Sequence, residues 1–529
     1  MKFFTRSILI LLALYGLLFA IGDLYLAKIG IPMWGAIAFA IVFVGFQYLV
    51  GPWFIELVVS IHWDDLCPAL PARNREFIEK LCAERGLKIP RIGVIESGTP
   101  NAFSFGHTPA DSRVVVTQGL LDVLTVDEAN AVLAHEVGHI EHWDFVVMTI
   151  AALVPLLLYQ IYAFTRNANN FRALAYGAYV CYLISQFVVL LLNRTREYFA
   201  DHYAAEVTHA PEALSSALVK IAYGMVKADG EYREALSRKA ADGQMRREYR
   251  IAGSLAVMGI SNLHSGSALA LSGADPASAS AIMRWDLVNP WARFYELNST
   301  HPLTAFRIRA LNEQAESAHQ AVQYPLPSNQ EIHWGTFPIQ LLIWGLPLVS
   351  IALLAAVQWV PEWFSFFGIV LPEATRPVLL MISGMGWLIR VAYRYRGHFQ
   401  PASVGSLLED TEVSQMRPRA VRLSGEIVGR GLPGVFWSPD LVLRDSSGII
   451  FVLYRQTIPF ARFLFAIGTA ESFIGQSVEV EGWFRRGLRP YVEMSRMTAN
   501  DGTNARAYSR WVQCFLAVVA VVVGYAWLA

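Results

Sequence analysis

Long apolar runs punctuate the chain and set its architecture before any single residue is considered. A helix needs about 20 mostly apolar residues to cross a hydrocarbon core of about 30 Å. Six stretches satisfy this: Ser7–Gly22 running on towards Lys28, Met33–Val50, Phe145–Phe164, Ala173–Leu192, Phe337–Val357 and Trp511–Leu528. A seventh, Pro377–Tyr393, follows Glu373 and Arg376 and contains Arg390, whose long stem can carry its charge to an interface. Lys2 and Arg6 before the first run resemble the start of a signal peptide. That run, however, outlasts a usual h-region, lacks an A-x-A site and is followed almost at once by a second span.

Composition agrees with a membrane protein. Apolar residues make up 54% of the 529 and charged residues only 16%, against roughly 25% charged in soluble domains. Lys plus Arg and Asp plus Glu both number 43, so no chain-wide field draws the protein to nucleic acid, and none is expected as a partner. The four cysteines, Cys67, Cys82, Cys181 and Cys514, show no CxxC spacing, which excludes a disulfide framework and a cysteine zinc cluster. Basic residues flank the spans at Lys2, Arg6, Arg194, Arg196, Arg394, Arg396, Arg506 and Arg510. Holding all of these in the cytoplasm orients seven spans with the N-terminus inside and the C-terminus outside. Arg166 and Arg172 argue mildly the other way. The blocks 61–144, 194–336 and 396–510 then face the cytoplasm, and Ser254–Ser280, rich in Ala, Ser and Gly, reads as a connection.

The chemistry concentrates in His135-Glu136-Val137-Gly138-His139. An HExxH match arises by chance in about one such chain in a hundred, so its context decides. Thr125-Val126-Asp127-Glu128 reads as a capping box and Ala129–Ala134 as good helix. On that helix His135 and His139 share a face one turn apart and can hold one Zn²⁺ per chain. Glu136 is placed to act as general base on water held there. The alternative is a helix with two hydrogen-bonded histidines. A third ligand is needed, and Glu197 in Arg196-Glu197-Tyr198-Phe199-Ala200-Asp201 is the candidate. Asp201, four residues on, can hold the far nitrogen of an imidazole ligand; a solvated acidic face is the bland reading of this pair. His142 lies about 10 Å along the axis from His135, too far to share the ion, and His202 points off the Glu197 face.

These residues resemble the HtpX-like membrane zinc metallopeptidases, relatives of the CAAX prenyl proteases. The likeness rests on HEVGH at 135–139, a transmembrane hairpin and REYFAD at 196–201. Pro100–Gly106, similar to the family's NAF segment, and Ser299-Thr300-His301-Pro302-Leu303 with Arg307-Ile308, similar to its STHPP…RI segment, extend it over roughly residues 1–320. The resemblance implies an integral-membrane endopeptidase with His135, His139 and Glu197 as zinc ligands and Glu136 as base. Ser104-Phe105-Gly106 and Leu303 depart from the usual residues, and neither touches the metal.

Arg91–Glu96 and Arg113–Thr117 read as strands flanking a loop at Asn101. Asn101, Ala102 and Phe103 are therefore candidates for holding an extended substrate, or else part of a plain hairpin. His301, at the start of a helix, is a candidate oxyanion donor or a packing residue. Further on, Ala420–Val428, Asp440–Arg444, Gly448–Tyr454, Ser477–Phe484 and Tyr491–Arg496 alternate like strands, with a more helical Pro459–Phe473 between the third and fourth. This suggests a small OB-like barrel. Its Arg455, Arg462, Arg485, Arg486 and Arg489 are read as facing lipid headgroups rather than nucleic acid, or as part of a substrate-presenting adaptor.

The expected fold is mainly α: a polytopic helical membrane protein with a zincin-type (gluzincin-like) metallopeptidase domain and a small C-terminal all-β OB-like domain. Two N-terminal spans occupy 1–60, and the peptidase domain occupies 61–330, interrupted by the hairpin 145–192. A helix pair fills 337–395, the β domain 400–505 and a last helix 511–528. The expected function is zinc-dependent cleavage of membrane or membrane-proximal proteins in proteolytic quality control, at the inner membrane with the catalytic domain facing the cytoplasm. A dedicated processing protease of a prenylated or secreted peptide and a non-catalytic metal-stabilised scaffold are the alternatives. Reporters fused after Glu206, Ser328 and Gly482 are expected to report cytoplasm, and one after Asn169 the opposite side. A non-cytoplasmic signal at Gly482 removes either the fifth span or the weak one after it.

Overall fold

The computed structural model describes residues 33–63, 70–97, 100–167, 171–221, 276–327, 331–359, 364, 368, 370–430, 439–457, 459–487 and 490–529. The expected first span, most of Ser254–Ser280 and Arg489 lie outside the described residues. The described residues divide into two compact units, one within 33–221 and 294–327 and the other within 276–293 and 331–529.

In the first unit an apolar helix α1 (Met33–Val58) leads to a short strand β1 (His62–Trp63) and helix α2 (Ala72–Arg85). Strands β2 (Arg91–Ile95), β3 (Ala102–Gly106) and β4 (Ser112–Thr117) follow. The sheet runs β1-β2-β4-β3, with β2 and β4 parallel and β3 antiparallel to β4 at the edge. The Asn101 segment is therefore not the loop expected from its sequence. Its Ala-Phe-Ser-Phe run extends because Ser104 and the two phenylalanines sort to opposite faces, the period of a strand. Gly106 closes this edge: a Cβ there would stand 2.3 Å from the Asp111 carbonyl oxygen, so no larger residue fits the pairing.

A short helix α3 (Gln118–Val123) leads into α4 (Val126–Glu141), which opens with the expected capping box. The Thr125 N–H donates to Glu128 (2.8 Å) and the Glu128 N–H to the Thr125 hydroxyl (3.3 Å). A cap of this kind stabilises a helix by about 1 kcal/mol. Glu128 does more: it also accepts from Ser216 (2.5 Å) and Lys220 (2.8 Å) on α7 (211–221). Burial pushes its carboxyl pKa up, but Lys220 and Ser216 outweigh burial and hold it below the ordinary value. Helices α5 (Asp144–Thr165), α6 (Arg172–Thr208) and α8 (Thr304–Ser317) complete the unit. One apolar core, including Ile78, Val114, Leu133, Val137, Ala204 and Leu214, joins sheet and helices beneath α4.

The second unit holds helices α9 (Phe337–Trp359), α10 (Thr375–Arg394) and α12 (Ser509–Leu528) and a β domain. A Cβ on Gly384 would meet the Ala517 carbonyl at 2.8 Å, and one on Gly524 the Pro377 carbonyl at 2.9 Å. Glycines thus let α10 and α12 touch backbone to backbone, as membrane helices do. Among the described residues five helices are long and apolar enough to cross a membrane: Trp34–Leu57, Asp144–Thr165, Ala173–Thr208, Phe337–Trp359 and Ser509–Leu528. Helix α10 is not one of them. Its Arg390 stays inside the hairpin, donating to the Trp344 carbonyl on α9 (3.3 Å).

Strands β6 (Arg419–Arg430), β7 (Leu441–Asp445), β8 (Gly448–Leu453), β9 (Ser477–Arg485) and β10 (Tyr491–Ala499) fall where alternation places them. Helix α11 (Pro459–Gly468) lies between the third and fourth. Pairing β6-β7-β8-β10-β9 and back to β6 closes a five-stranded barrel, with β8 and β10 parallel. Short strands β5 (Gln400–Pro401) and β11 (Asn504–Arg506) extend it. The arginine expectation is corrected here. Arg485 and Arg486 are fully buried. Arg485 donates to Glu493 (2.8 Å) and to the Arg394 and Gln415 carbonyls, while Arg486 donates to the carbonyls of Leu408 and Ile282. Neither reaches a headgroup.

Candidate metal centre

Helix α4 delivers His135 and His139 one turn apart, with Nε2 atoms 3.2 Å from each other. Glu197 comes from α6, placing Oε2 3.8 Å from His135 Nε2 and Oε1 3.6 Å from His139 Nε2. The ligand atoms of these three residues lie within 4.8 Å of one another, a group able to hold a metal ion. Glycine makes this approach possible. A Cβ at position 138 would lie 3.0 Å from Tyr203 Cδ1 and 3.4 Å from Ala200 Cα, so α6 packs directly on the α4 backbone beside the ligands.

The far sides of both imidazoles meet carboxylates. His139 Nδ1 lies 2.6 Å from Asp144 Oδ2. His135 Nδ1 lies 3.0 Å from Asp201 Oδ1, a close contact without ideal hydrogen-bond alignment. Asp144 reaches His139 because α4 ends at Glu141 and Trp143 turns left-handed (φ 59°) before α5 begins. The two helices are thus not one continuous rod, whereas α6 runs unbroken for 37 residues. Arg196 Nε holds the other oxygen of Asp144 at 2.7 Å. Both oxygens of Asp201 accept from Arg307 on α8, at 2.7 and 2.5 Å. Arg307 is itself fully buried, and its Nη1 lies 3.6 Å from Glu197 Oε2. Burial lowers the Arg307 pKa, but Asp201 and Glu197 raise it further, so the cation is retained.

These outer contacts say what the inner face needs. The carboxylate beside each Nδ1 favours the tautomer with the proton on Nδ1, which leaves a lone pair on each Nε2, facing the other beside the Glu197 carboxylate. That arrangement is repulsive unless a cation stands between them. The pull is visible at His139, where burial lowers the pKa while Asp144, Glu197 and Glu136 together raise it. Nitrogen and carboxylate donors suit Zn²⁺.

The remaining expected residues fall at different distances from this centre. Glu136 is buried on α4 and accepts a hydrogen bond from Ser104 Oγ of β3 (2.7 Å). His301 precedes α8 rather than starting it and places Nδ1 3.1 Å from Glu197 Oε2. Its segment is pinned to α6, since Asn193 donates to the Thr300 carbonyl (2.7 Å) and Arg194 to the carbonyls of Glu296 and Ser299. Asn101 is turned into the fold, its backbone N–H donating to Thr117 Oγ1 (2.8 Å). Phe103 packs with Val59, Ile95, Phe105 and Val115, away from the triad. Ala102 belongs to the main core. The Asn101 backbone is committed as well, its carbonyl accepting from the Thr117 N–H (2.9 Å), and the Ala102 N–H donates to Asn101 Oδ1 (3.0 Å). His142 caps α4 through Gly138, and His202 contacts Gln314, as their positions suggested. Asp144, Ser104 and Arg196 were not singled out from sequence.

The sequence profile of peptidase family M48 matches residues 69–315. A protease HtpX homolog of Methanothermobacter thermautotrophicus is 36% identical over 224 residues, covering 42% of this chain and 84% of that protein. The chain belongs to peptidase family M48. A protease HtpX homolog of Pyrococcus furiosus is 32% identical over 232 residues, 41% of this chain and 78% of that one. The crystal structure of S. mikatae Ste24p aligns at a TM-score of 0.35 and 18% identity, over 58% of this chain and 66% of that one. Membership, with five membrane-length apolar helices among the described residues, makes the protein a membrane-associated metalloprotease. Asp144→Asn is expected to weaken metal binding about 10–100-fold, the usual cost of losing an imidazole's outer partner. Competition with a graded chelator measures this, and unchanged affinity would remove Asp144 from the centre.

Proposed function

We propose that the chain is a zinc endopeptidase that cuts membrane or membrane-proximal proteins in proteolytic quality control. The observation that carries this reading is the pair of imidazole Nε2 atoms 3.2 Å apart beside the Glu197 carboxylate, with Glu136 adjoining the first of them. In this reading His135, His139 and Glu197 hold one Zn²⁺. Bound zinc supplies positive charge that acidifies water and polarises the scissile carbonyl. Glu136 takes the proton from the attacking water and returns it to the leaving amine, while Ser104 fixes the position of its carboxylate. Asp144 and Asp201 hold the imidazole tautomers, and Arg307 keeps Asp201 ionised. His301, beside the Glu197 carboxylate, is the oxyanion donor of this scheme. An extended substrate lies along β3, the sheet edge next to α4, and offers its backbone there.

A sheet whose antiparallel edge strand passes the HExxH helix, with a glutamate from a later helix, supports a zincin-type, gluzincin-like domain. The strand order of the barrel, with a helix before its fourth strand, supports an OB-like domain. A cytoplasmic catalytic domain at the inner membrane rests on the placement of the basic residues. Glu197 lies five residues beyond Leu192 on an unbroken helix, about 7–8 Å along its axis. Water and a flexible peptide are available at that depth, so the favoured sites are loops or unwound segments near a membrane boundary. Glu136→Gln is expected to keep about one zinc per chain yet lose hydrolysis of a casein-type substrate by about 10²–10⁴-fold, the contribution of a general base. Wild-type cleavage rates from that variant would refute the mechanism.

A further inference from the structure

Helix α11 carries an apolar stripe that the other described residues do not cover. Phe460, Phe463, Leu464 and Ile467 are spaced i, i+3, i+4 and i+7, so they line one side of the helix. Their side chains are 66, 47, 54 and 50% exposed. The opposite side is anchored in the barrel: Phe465 and Ala466 are buried, Phe465 stacks on Tyr454 with ring centroids 3.9 Å apart, and Arg430 donates to the Ala466 carbonyl (2.8 Å). The helix cannot roll to hide its outer face without breaking these contacts. Four large apolar side chains held outward on a ten-residue helix mark a binding surface.

The connection from β8 to α11 identifies the occupant. Tyr454 Oη donates to the Arg506 carbonyl (3.4 Å), and the Tyr508 N–H donates to Gln456 Oε1 (3.2 Å). Thr457 Oγ1 lies 3.3 Å from Ser509 Oγ. Ser509 is the first residue of the membrane-length helix α12, and its neighbours Tyr508 and Trp511 are exposed aromatics, the residue types that settle at headgroup level. The start of α11 is therefore fastened to the point where α12 enters the bilayer.

We propose that α11 lies in the membrane interface at the entry point of α12, with Phe460, Phe463, Leu464 and Ile467 inserted at the boundary between headgroups and acyl chains. A lipid surface fits better than a protein. The stripe offers four side chains over about 11 Å, far fewer than the roughly 20–30 residues a side of a stable protein interface. For a segment already tethered at the bilayer, a small apolar face suffices, because the tether keeps the lipid at high effective concentration. Arg462 falls, by the helical period, on the side of Phe465 and Ala466 and takes no part.

The inference rests on α12 spanning the membrane, and the experiment separates the two. The full-length chain, its native cysteines replaced, is placed in phosphatidylcholine–phosphatidylglycerol nanodiscs. A nitroxide is attached in turn at Phe463→Cys, Leu464→Cys, Ser472→Cys and Val519→Cys. Relaxation by oxygen, which concentrates in lipid, is compared with relaxation by a water-soluble nickel chelate. Val519 must read as bilayer, or the membrane reading of α12 itself fails. Given that control, labels at 463 and 464 are expected to favour oxygen by at least about threefold over the label at 472. Equal access to the nickel chelate at all three positions overturns the proposal. So does exclusion of both reagents at 463 and 464, which means a protein segment covers the stripe, or dipolar broadening between labels, which means a second copy does.

Discussion

Two imidazole lone pairs and a carboxylate turned towards one point, inside protein and away from water, repel each other unless a cation occupies that point. The rest of the first unit is arranged around this repulsion. His135 and His139 face each other at 3.2 Å because a helix places residues four apart one above the other. Glu197 joins them because Gly138 lets α6 pack against α4 without an intervening side chain. Negative charge then accumulates in a second layer, at Asp144 and Asp201, and two arginines, Arg196 and Arg307, balance it. Removing one member of such a buried network costs about 3–5 kcal/mol, since a charge is left without its partner.

The break at Trp143 shows how backbone geometry serves the site. A continuous helix from α4 into α5 would point Asp144 away from His139, since residues five apart fall on different faces. A left-handed residue costs free energy when it is not glycine, on the order of 1–3 kcal/mol. Here it turns the chain so that the first residue of α5 reaches back to His139 at 2.6 Å. The same turn leaves α6 as the one uninterrupted rod linking the apolar segment to the ligands, so the depth of the centre is set by α6 alone.

Much of this was legible in the sequence because it depends on local rules. The capping box, the HExxH spacing, the five barrel strands and the apolar spans among the described residues follow from periodicities of 3.6 and 2 and from turn chemistry. Strand β3 looks like a loop in the sequence because five residues between two punctuated segments give alternation little room to show. Asp144 was invisible for a different reason: its role needs a positive φ at a tryptophan, which no propensity suggests. Arg485 and Arg486 look like surface charge in a sequence, and only the fold reveals the Glu493 carboxylate and the Leu408 and Ile282 carbonyls that receive them. Non-local partners of this kind are set by topology, which single-residue patterns do not encode.

The most direct measurement is X-ray absorption at the zinc edge on the purified full-length protein. The expected first shell holds two imidazole nitrogens at about 2.0–2.1 Å and carboxylate or water oxygens at about 2.0–2.2 Å, with no sulfur. His139→Ala should remove one imidazole signature, and Glu197→Ala should alter the oxygen shell or abolish binding. A shell with sulfur at about 2.3 Å, one built of oxygen alone, or one unchanged in both variants would contradict a centre made of His135, His139 and Glu197.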